Sequence, residues 1–169
     1  FDGELNFDTT GALQQKNTNV TEKYFINDLS YDSNNFISKL GTRSNINLTY
    51  KNVSKEGENS PTYRDKLKND NFFITNFNTS LPFKKVGNTY NSYFTPKLLL
   101  KYSPFDSENL KDLDRSLNEN NIFSNNRLGV QDSLEGGQSL TMGMDYKLNN
   151  KNDINIFSTS LGQVFRDTN

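Results

Sequence analysis

Asn118-Glu119-Asn120-Asn121-Ile122-Phe123-Ser124-Asn125-Asn126-Arg127-Leu128-Gly129-Val130-Gln131-Asp132-Ser133-Leu134-Glu135-Gly136-Gly137-Gln138-Ser139-Leu140-Thr141-Met142-Gly143-Met144-Asp145-Tyr146 divides into two physical halves. Up to Gly137 it is a polar connection with three glycines and scattered apolar residues. Beyond it the pattern alternates strictly. Leu140, Met142, Met144, Tyr146 and Leu148 fall on one face, and Thr141, Gly143, Asp145 and Lys147 on the other. That is the period of a strand with one apolar and one polar side. Gly136-Gly137 supplies the positive φ for a turn into it. A polar loop feeding an amphipathic strand is the theme of the chain.

Composition narrows the class. The 169 residues include no Cys, His or Trp, and the net charge is -1. Hydrophobic content is 32% and mean hydropathy -0.83, a balance close to that of disordered chains. The 13 Phe and 8 Tyr oppose that reading, because disordered chains are poor in aromatics. The length suits one domain. Without a basic stripe there is no nucleic-acid footprint. Missing cysteine removes disulfides and thiolate metal sites. Missing histidine removes the commonest general base and metal ligand. No catalytic or metal constellation can be assembled, so neither an enzyme nor a cofactor is expected. No apolar run reaches the roughly 18 residues of a transmembrane helix. No signal peptide is visible, and Phe1 enters partway through a strand, which points to an excerpt of a longer chain.

Taken in order, strand follows strand. Phe1 to Leu13 places Phe1, Leu5, Phe7 and Leu13 opposite Glu4, Asn6 and Asp8. Gln14 to Asn19 reads as a connection, Val20 to Tyr31 as a strand, and Asp32-Ser33-Asn34 as a tight turn. Asn35 to Lys51 reads as one long strand, and Val53 to Asn69 as a charged loop. Asp70 to Leu81 aligns Phe73, Thr75, Phe77 and Thr79, and Pro82 to Asn88 turns the chain. Thr89 to Tyr102 sets Tyr90, Phe94, Leu98, Leu100 and Tyr102 against Lys97 and Lys101, with Pro96 weakening the ladder. The long loop 103–137 follows. Leu110, Leu113 and Leu117 within it could line a short helix started at Asp106 or Ser107. Leu140 to Leu148, a turn at Asn149 to Asn152, and Ile154 to Phe165 complete about seven strands.

The connections alternate short with long, as in transmembrane β-barrels, whose periplasmic turns are short and extracellular loops long. Charged residues on the polar faces suit a wet lumen better than the core of a β-sandwich. The expected fold is therefore all-β, with antiparallel up-and-down strands of a transmembrane barrel. An odd strand count and two raw edges mark residues 1–169 as a segment of a larger wall.

The organising stretch resembles the barrel domain of the lipopolysaccharide-assembly family LptD, also called organic solvent tolerance protein. Asn120, Phe123, Arg127, Gly129, Asp132, Glu135, Gly137, Leu140, Thr141 and Gly143 fill that family's motif. Ser160-Leu161-Gly162-Gln163-Val164-Phe165-Arg166-Asp167 resembles its next strand, and Tyr93-Phe94-Thr95-Pro96-Lys97-Leu98 an earlier strand entry. The resemblance covers Tyr93 to Asp167, with the earlier strands agreeing in pattern only. It implies a piece of the translocon that inserts lipopolysaccharide into the outer leaflet of the bacterial outer membrane. It also implies lipopolysaccharide and outer-membrane lipid as contacts, the plug lipoprotein LptE and periplasmic bridge LptA as partners, and no nucleic acid. The cysteines of some members are absent. A generic pore, receptor or adhesin barrel and a secreted carbohydrate-binding β-sandwich remain as alternatives.

Leu98, Leu100, Leu140, Met142, Met144 and Tyr146 are the lipid-facing candidates, and Lys39, Arg43, Lys97, Lys101, Asp145 and Lys147 the lumen-facing ones. By this division Met142→Arg is costly and Thr141→Arg much less so. Arg127, Asp132, Glu135, Gly136 and Gly137 are the loop-ordering candidates, with Arg127 pinned to Asp132 or Glu135. The apolar anchors Ile122, Phe123, Leu128, Val130 and Leu134 argue that this part is ordered and folds back to narrow the lumen. Asp112-x-Asp114 lacks the rest of a calcium loop and reads as solvated charge.

Overall fold

The computed structural model describes residues 2–16, 19–106 and 117–167. Seven strands make one antiparallel wall: β1 (Gly3–Lys16), β2 (Val20–Ser33), β4 (Arg43–Glu58), β5 (Lys68–Ser80), β7 (Tyr90–Ser103), β8 (Gly137–Asn150) and β9 (Asn155–Arg166). They lie side by side in chain order. Two short strands join them, β3 (Phe36–Ile37) against β4 and β6 (Phe83–Val86) against β7. The sheet is open, with β1 and β9 at its edges. β7 has 14 residues, about 45 Å of extended chain. A tilted strand needs only about 9–11 residues to cross a bilayer, so the wall is tall enough to do so and project beyond it.

Period-2 alternation gives the wall two unlike faces. Phe7, Leu29, Tyr50, Phe77, Leu100, Met142 and Leu161, one from each strand, are all exposed. Register keeps this outer face continuous, pairing Leu5 with Tyr31 and Leu29 with Tyr50. It goes on to pair Tyr50 with Phe73, Phe77 with Leu100, Leu100 with Leu140, and Met144 with Leu161. The inner face carries Asp28, Lys51, Lys55, Asn76, Lys101 and Thr141, and burial is concentrated there. Ile26, Val53, Phe72 and Ile74 form an apolar island on β2, β4 and β5, closed from above by Leu134 of the long loop.

Several expected boundaries differ. The strand expected from Asn35 to Lys51 is broken by a turn. Ser38 Oγ accepts hydrogen bonds from the backbone N–H groups of Leu40 and Thr42, and Gly41 takes φ +83°. Phe36 and Leu40 share the parity of Ile46, which hid the break. Val53 to Glu58, read as loop, continues β4, because its charges face other charged groups rather than a dry core. The connection expected at Gln14–Asn19 shrinks, since β1 runs to Lys16 and Asn19 adopts φ +55°. The turn expected at 32–34 becomes the stretch 34–42 with β3 inside it, so strict alternation of short and long connections reduces mainly to loop 104–136.

Pro96 does not break β7. Its carbonyl accepts from Leu81 N–H at 3.1 Å. In an antiparallel ladder both backbone groups of a residue point the same way. The missing N–H therefore faces the gap where β5 ends and β6 begins, leaving the β8 side intact. At the β8–β9 turn, Asn150 Oδ1 accepts from the N–H groups of Asn152 and Ile154, and Asp153 takes φ +57°. The helix expected from Leu110 and Leu113, and Asp112-x-Asp114, lie outside the described residues. Leu117 is described and exposed.

Candidate functional site

Residues 117–136 fold back against the inner face, and the wall's lysines hold them. Lys51 Nζ donates to the Gln131 carbonyl at 2.9 Å and to Asp28 at 2.7 Å. Lys55 Nζ lies 3.1 Å from Asp132 and 5.7 Å from the centre of the Tyr63 ring. Lys97, paired with Asp145, lies 5.6 Å from the centre of the Phe123 ring. Lys101 Nζ donates to Glu135 at 2.9 Å and to the Ser124 carbonyl at 3.3 Å. Four lysines on two strands thus meet one loop.

Arg127 makes the most hydrogen bonds of these contacts, and its side chain is 3% exposed. Its Nε and Nη2 donate to the two oxygens of Glu135 at 2.8 and 2.7 Å, a fork-to-fork pair. Nη1 reaches Thr141 Oγ1 at 2.9 Å, and Nη2 also reaches Ser139 Oγ at 2.6 Å. Arg166 approaches Glu135 from β9 at 3.4 Å. The expected alternative for the pin resolves to Glu135, while Asp132 goes to Lys55. Burial of this kind is costly unless every charge is matched, and here the guanidinium is matched on all three nitrogens. Within the loop, Asn126 braces the turn, donating to the carbonyls of Val130 and Ser133 and accepting from Leu128 N–H.

Gly129 and Gly137 both adopt positive φ, and Gly137 N–H donates to the Phe105 carbonyl at 2.9 Å. Gly136 is buried. A different pair of glycines seats the loop. Gly143 and Gly162 face each other across β8 and β9. A Cβ on Gly143 would stand 2.5 Å from the Leu161 carbonyl oxygen and 2.8 Å from Phe123, and one on Gly162 would stand 2.9 Å from the Ile122 Cδ1. Gly143→Ala is therefore expected to weaken loop seating by about 1–3 kcal/mol. Gly162→Ala should cost less, because the end of an isoleucine can swing aside. Protease nicking within 118–124 reads both.

Glu135 sets a pH limit. Burial alone would push its carboxyl up, but hydrogen bonds from Arg127 and Lys101 and their charge hold it down at about 2. A depressed acid contributes its full stabilisation above its free value of 4.5 and loses it as pH falls through about 2. Pepsin cleavage within 117–136 should accordingly change little from pH 5 to 4.5 and rise between 4.5 and 2.

Of the lumen-facing candidates, Lys97, Lys101 and Asp145 lie together on the inner face with the loop. Arg43 begins β4, and Lys147 is exposed near the far end of β8. Lys39 stands in the exposed turn between β3 and β4, outside the strands. The lipid-facing candidates share the outer face, in register as Leu98 with Met142, Leu100 with Leu140, and Pro96 with Met144. Thr141 is corrected as the harmless control: it is fully buried and bonded by Arg127, so Thr141→Arg would displace the loop. Sequence reading passed over Lys51, Lys55, Asn76 and the Gly143–Gly162 seat. Lys51, Val53 and Lys55 share one parity, a signal legible once β4 is continued past residue 52.

Among the described residues no group of three or more acidic side chains is placed to hold a metal ion. Among the same residues no helix is long and apolar enough to cross a membrane, which leaves crossing by strands open. No curated protein matches the chain. The family model for LPS transport system D, LptD, matches residues 5–169, nearly the whole sheet and all of the loop's anchoring residues. With that match over a two-faced antiparallel wall, the chain belongs to the LptD family, a family of outer-membrane proteins that transport lipopolysaccharide and assemble the outer membrane.

Proposed function

We propose that residues 1–169 form a segment of the barrel wall in the bacterial cell outer membrane, working with a plug lipoprotein of the LptE type and a periplasmic bridge of the LptA type. Leu98, Leu100, Leu140, Met142, Met144 and Tyr146 face lipid. Lys97, Lys101 and Asp145 face a hydrated lumen with Lys51 and Lys55, and the saccharide part of lipopolysaccharide passes along them. Loop 117–136, held by Arg127 to Glu135, narrows that lumen. The role is transport without catalysis. The observation carrying this reading is the wall's asymmetry, an apolar outer face on all seven strands and a charged inner face on which Lys55 and Lys101 are paired by the carboxylates of one loop. A single described sheet with a bare apolar face does not favour a β-sandwich, in which that face would be covered.

A photo-crosslinking residue at Ser158, exposed on the inner parity of β9, tests the route in the full-length protein in cells. Lipopolysaccharide adducts at Ser158 that vanish when the periplasmic bridge is depleted support it. Absence of adducts at Ser158 and at Thr95, with normal assembly, would refute a saccharide path along this face.

A further inference from the structure

The lysines of the inner wall are not idle surface charges, and the loop covering them is acidic where it meets them. Lys55 and Lys101 meet the carboxylates of Asp132 and Glu135, and Lys51 meets a carbonyl one residue before Asp132. Lys51 and Lys55 are four residues apart on β4, about 13 Å along the strand. In register with Lys101 stands Asn76, fully buried on the same face, with neither its amide nitrogen nor its oxygen bonded among the described residues. A buried amide without partners costs free energy unless something polar reaches it. On the inner face there are thus ammonium groups held by carboxylates and, among the described residues, an amide with donor capacity unused.

We propose that residues 131–135 are a built-in substitute for an anionic ligand. Asp132 and Glu135 occupy the lysine positions that phosphate groups on the saccharide of lipopolysaccharide take when the loop lifts. The proposal rests on the inner-face route above and deepens it by naming the chemical group recognised. Exchanging carboxylate for sugar-borne phosphate keeps every lysine paired, so lifting the loop does not strand a buried charge. Phosphate offers more acceptor oxygens than a carboxylate and can also take the Asn76 amide donor. The contacts are graded for ordered release. Asp132 is 28% exposed and bonded to Lys55 at 3.1 Å, whereas Glu135 is 3% exposed and held by Lys101, Arg127 and Arg166. Displacement therefore begins at Lys55 and ends at Lys101.

The test uses the full-length protein in lipid nanodiscs, with amide hydrogen exchange of residues 121–136 as the readout. Lipopolysaccharide should raise that exchange about tenfold, and enzymatically dephosphorylated lipopolysaccharide should leave it near the unliganded value. D132N, which keeps shape and removes the competing charge, should lower the half-saturating lipopolysaccharide concentration by about fivefold. K55Q should erase the difference between the two glycolipids at low concentration. Equal responses to phosphorylated and dephosphorylated forms would overturn the proposal. So would an equal response to inorganic phosphate, which would make the site a free-anion site. If adducts form at Ser158 while the loop ignores phosphorylation, the substitute fails and the route stands. If no adducts form, the route itself has failed.

Discussion

Arg127→Ala is expected to free residues 117–136 from the wall while leaving the strands paired. The guanidinium makes four hydrogen bonds, two to Glu135 and one each to Ser139 and Thr141. Removing one partner of a buried ion pair costs about 3–5 kcal/mol, because the remaining charge stays uncompensated. Lys101 and Arg166 would still reach Glu135, which places the effect towards the lower part of that range. The loss falls on loop seating, since Ser139 and Thr141 keep their backbone register with Arg166 and Val164. Leakage of large antibiotics across the outer membrane should rise, with the barrel's heat-modifiability unchanged. Unchanged leakage with normal assembly would show that the loop does not narrow the passage. Loss of heat-modifiability together with leakage would mean that the loop holds the wall together.

Met142→Arg should act in the opposite sense, harming the wall and sparing the loop. Met142 lies near the middle of β8, half exposed on the outer face and flanked in register by Leu98 and Gln163. An arginine on the lipid face near the bilayer midplane costs about 2–4 kcal/mol, falling towards zero near the interfaces. The control on the inner face is Ser158→Arg, exposed on the inner parity of β9 in register with Lys147, which should cost well under half as much. Heat-modifiability of the full-length protein in detergent reads both. Equal losses would reverse the assignment of faces. Thr141 cannot serve as the control, although it neighbours Met142, because its hydroxyl is a seat for Arg127.

Much of the wall was legible from one dimension. Alternation is a property of neighbouring residues, and in β8 every second side chain from Leu140 to Leu148 is apolar with no competing period. The same logic failed where a turn preserved parity, at Ser38–Thr42, because period 2 does not register an even-numbered excursion. It failed again at Val53–Glu58, where charge density was read as a loop. Strands facing a charged loop can carry lysines inside, as Lys51 and Lys55 do, since their carbonyl and carboxylate partners come from a segment about 77–80 positions away.

The sequence alone determined the strand-rich class, the two faces of the strands, the positive φ at Gly137 and the candidacy of Arg127 for pairing with Asp132 or Glu135, because each depends on local pattern or a short separation along the chain. Tertiary structure decided that Asp132 goes to Lys55, that Leu134 closes the island of Ile26, Val53, Phe72 and Ile74, and that Phe123 and Ile122 rest on Gly143 and Gly162. Those choices follow from which strands lie beside which and in what register. They bring together residues far apart in sequence, whose pairing is governed by packing and by the cost of leaving a buried charge unmatched.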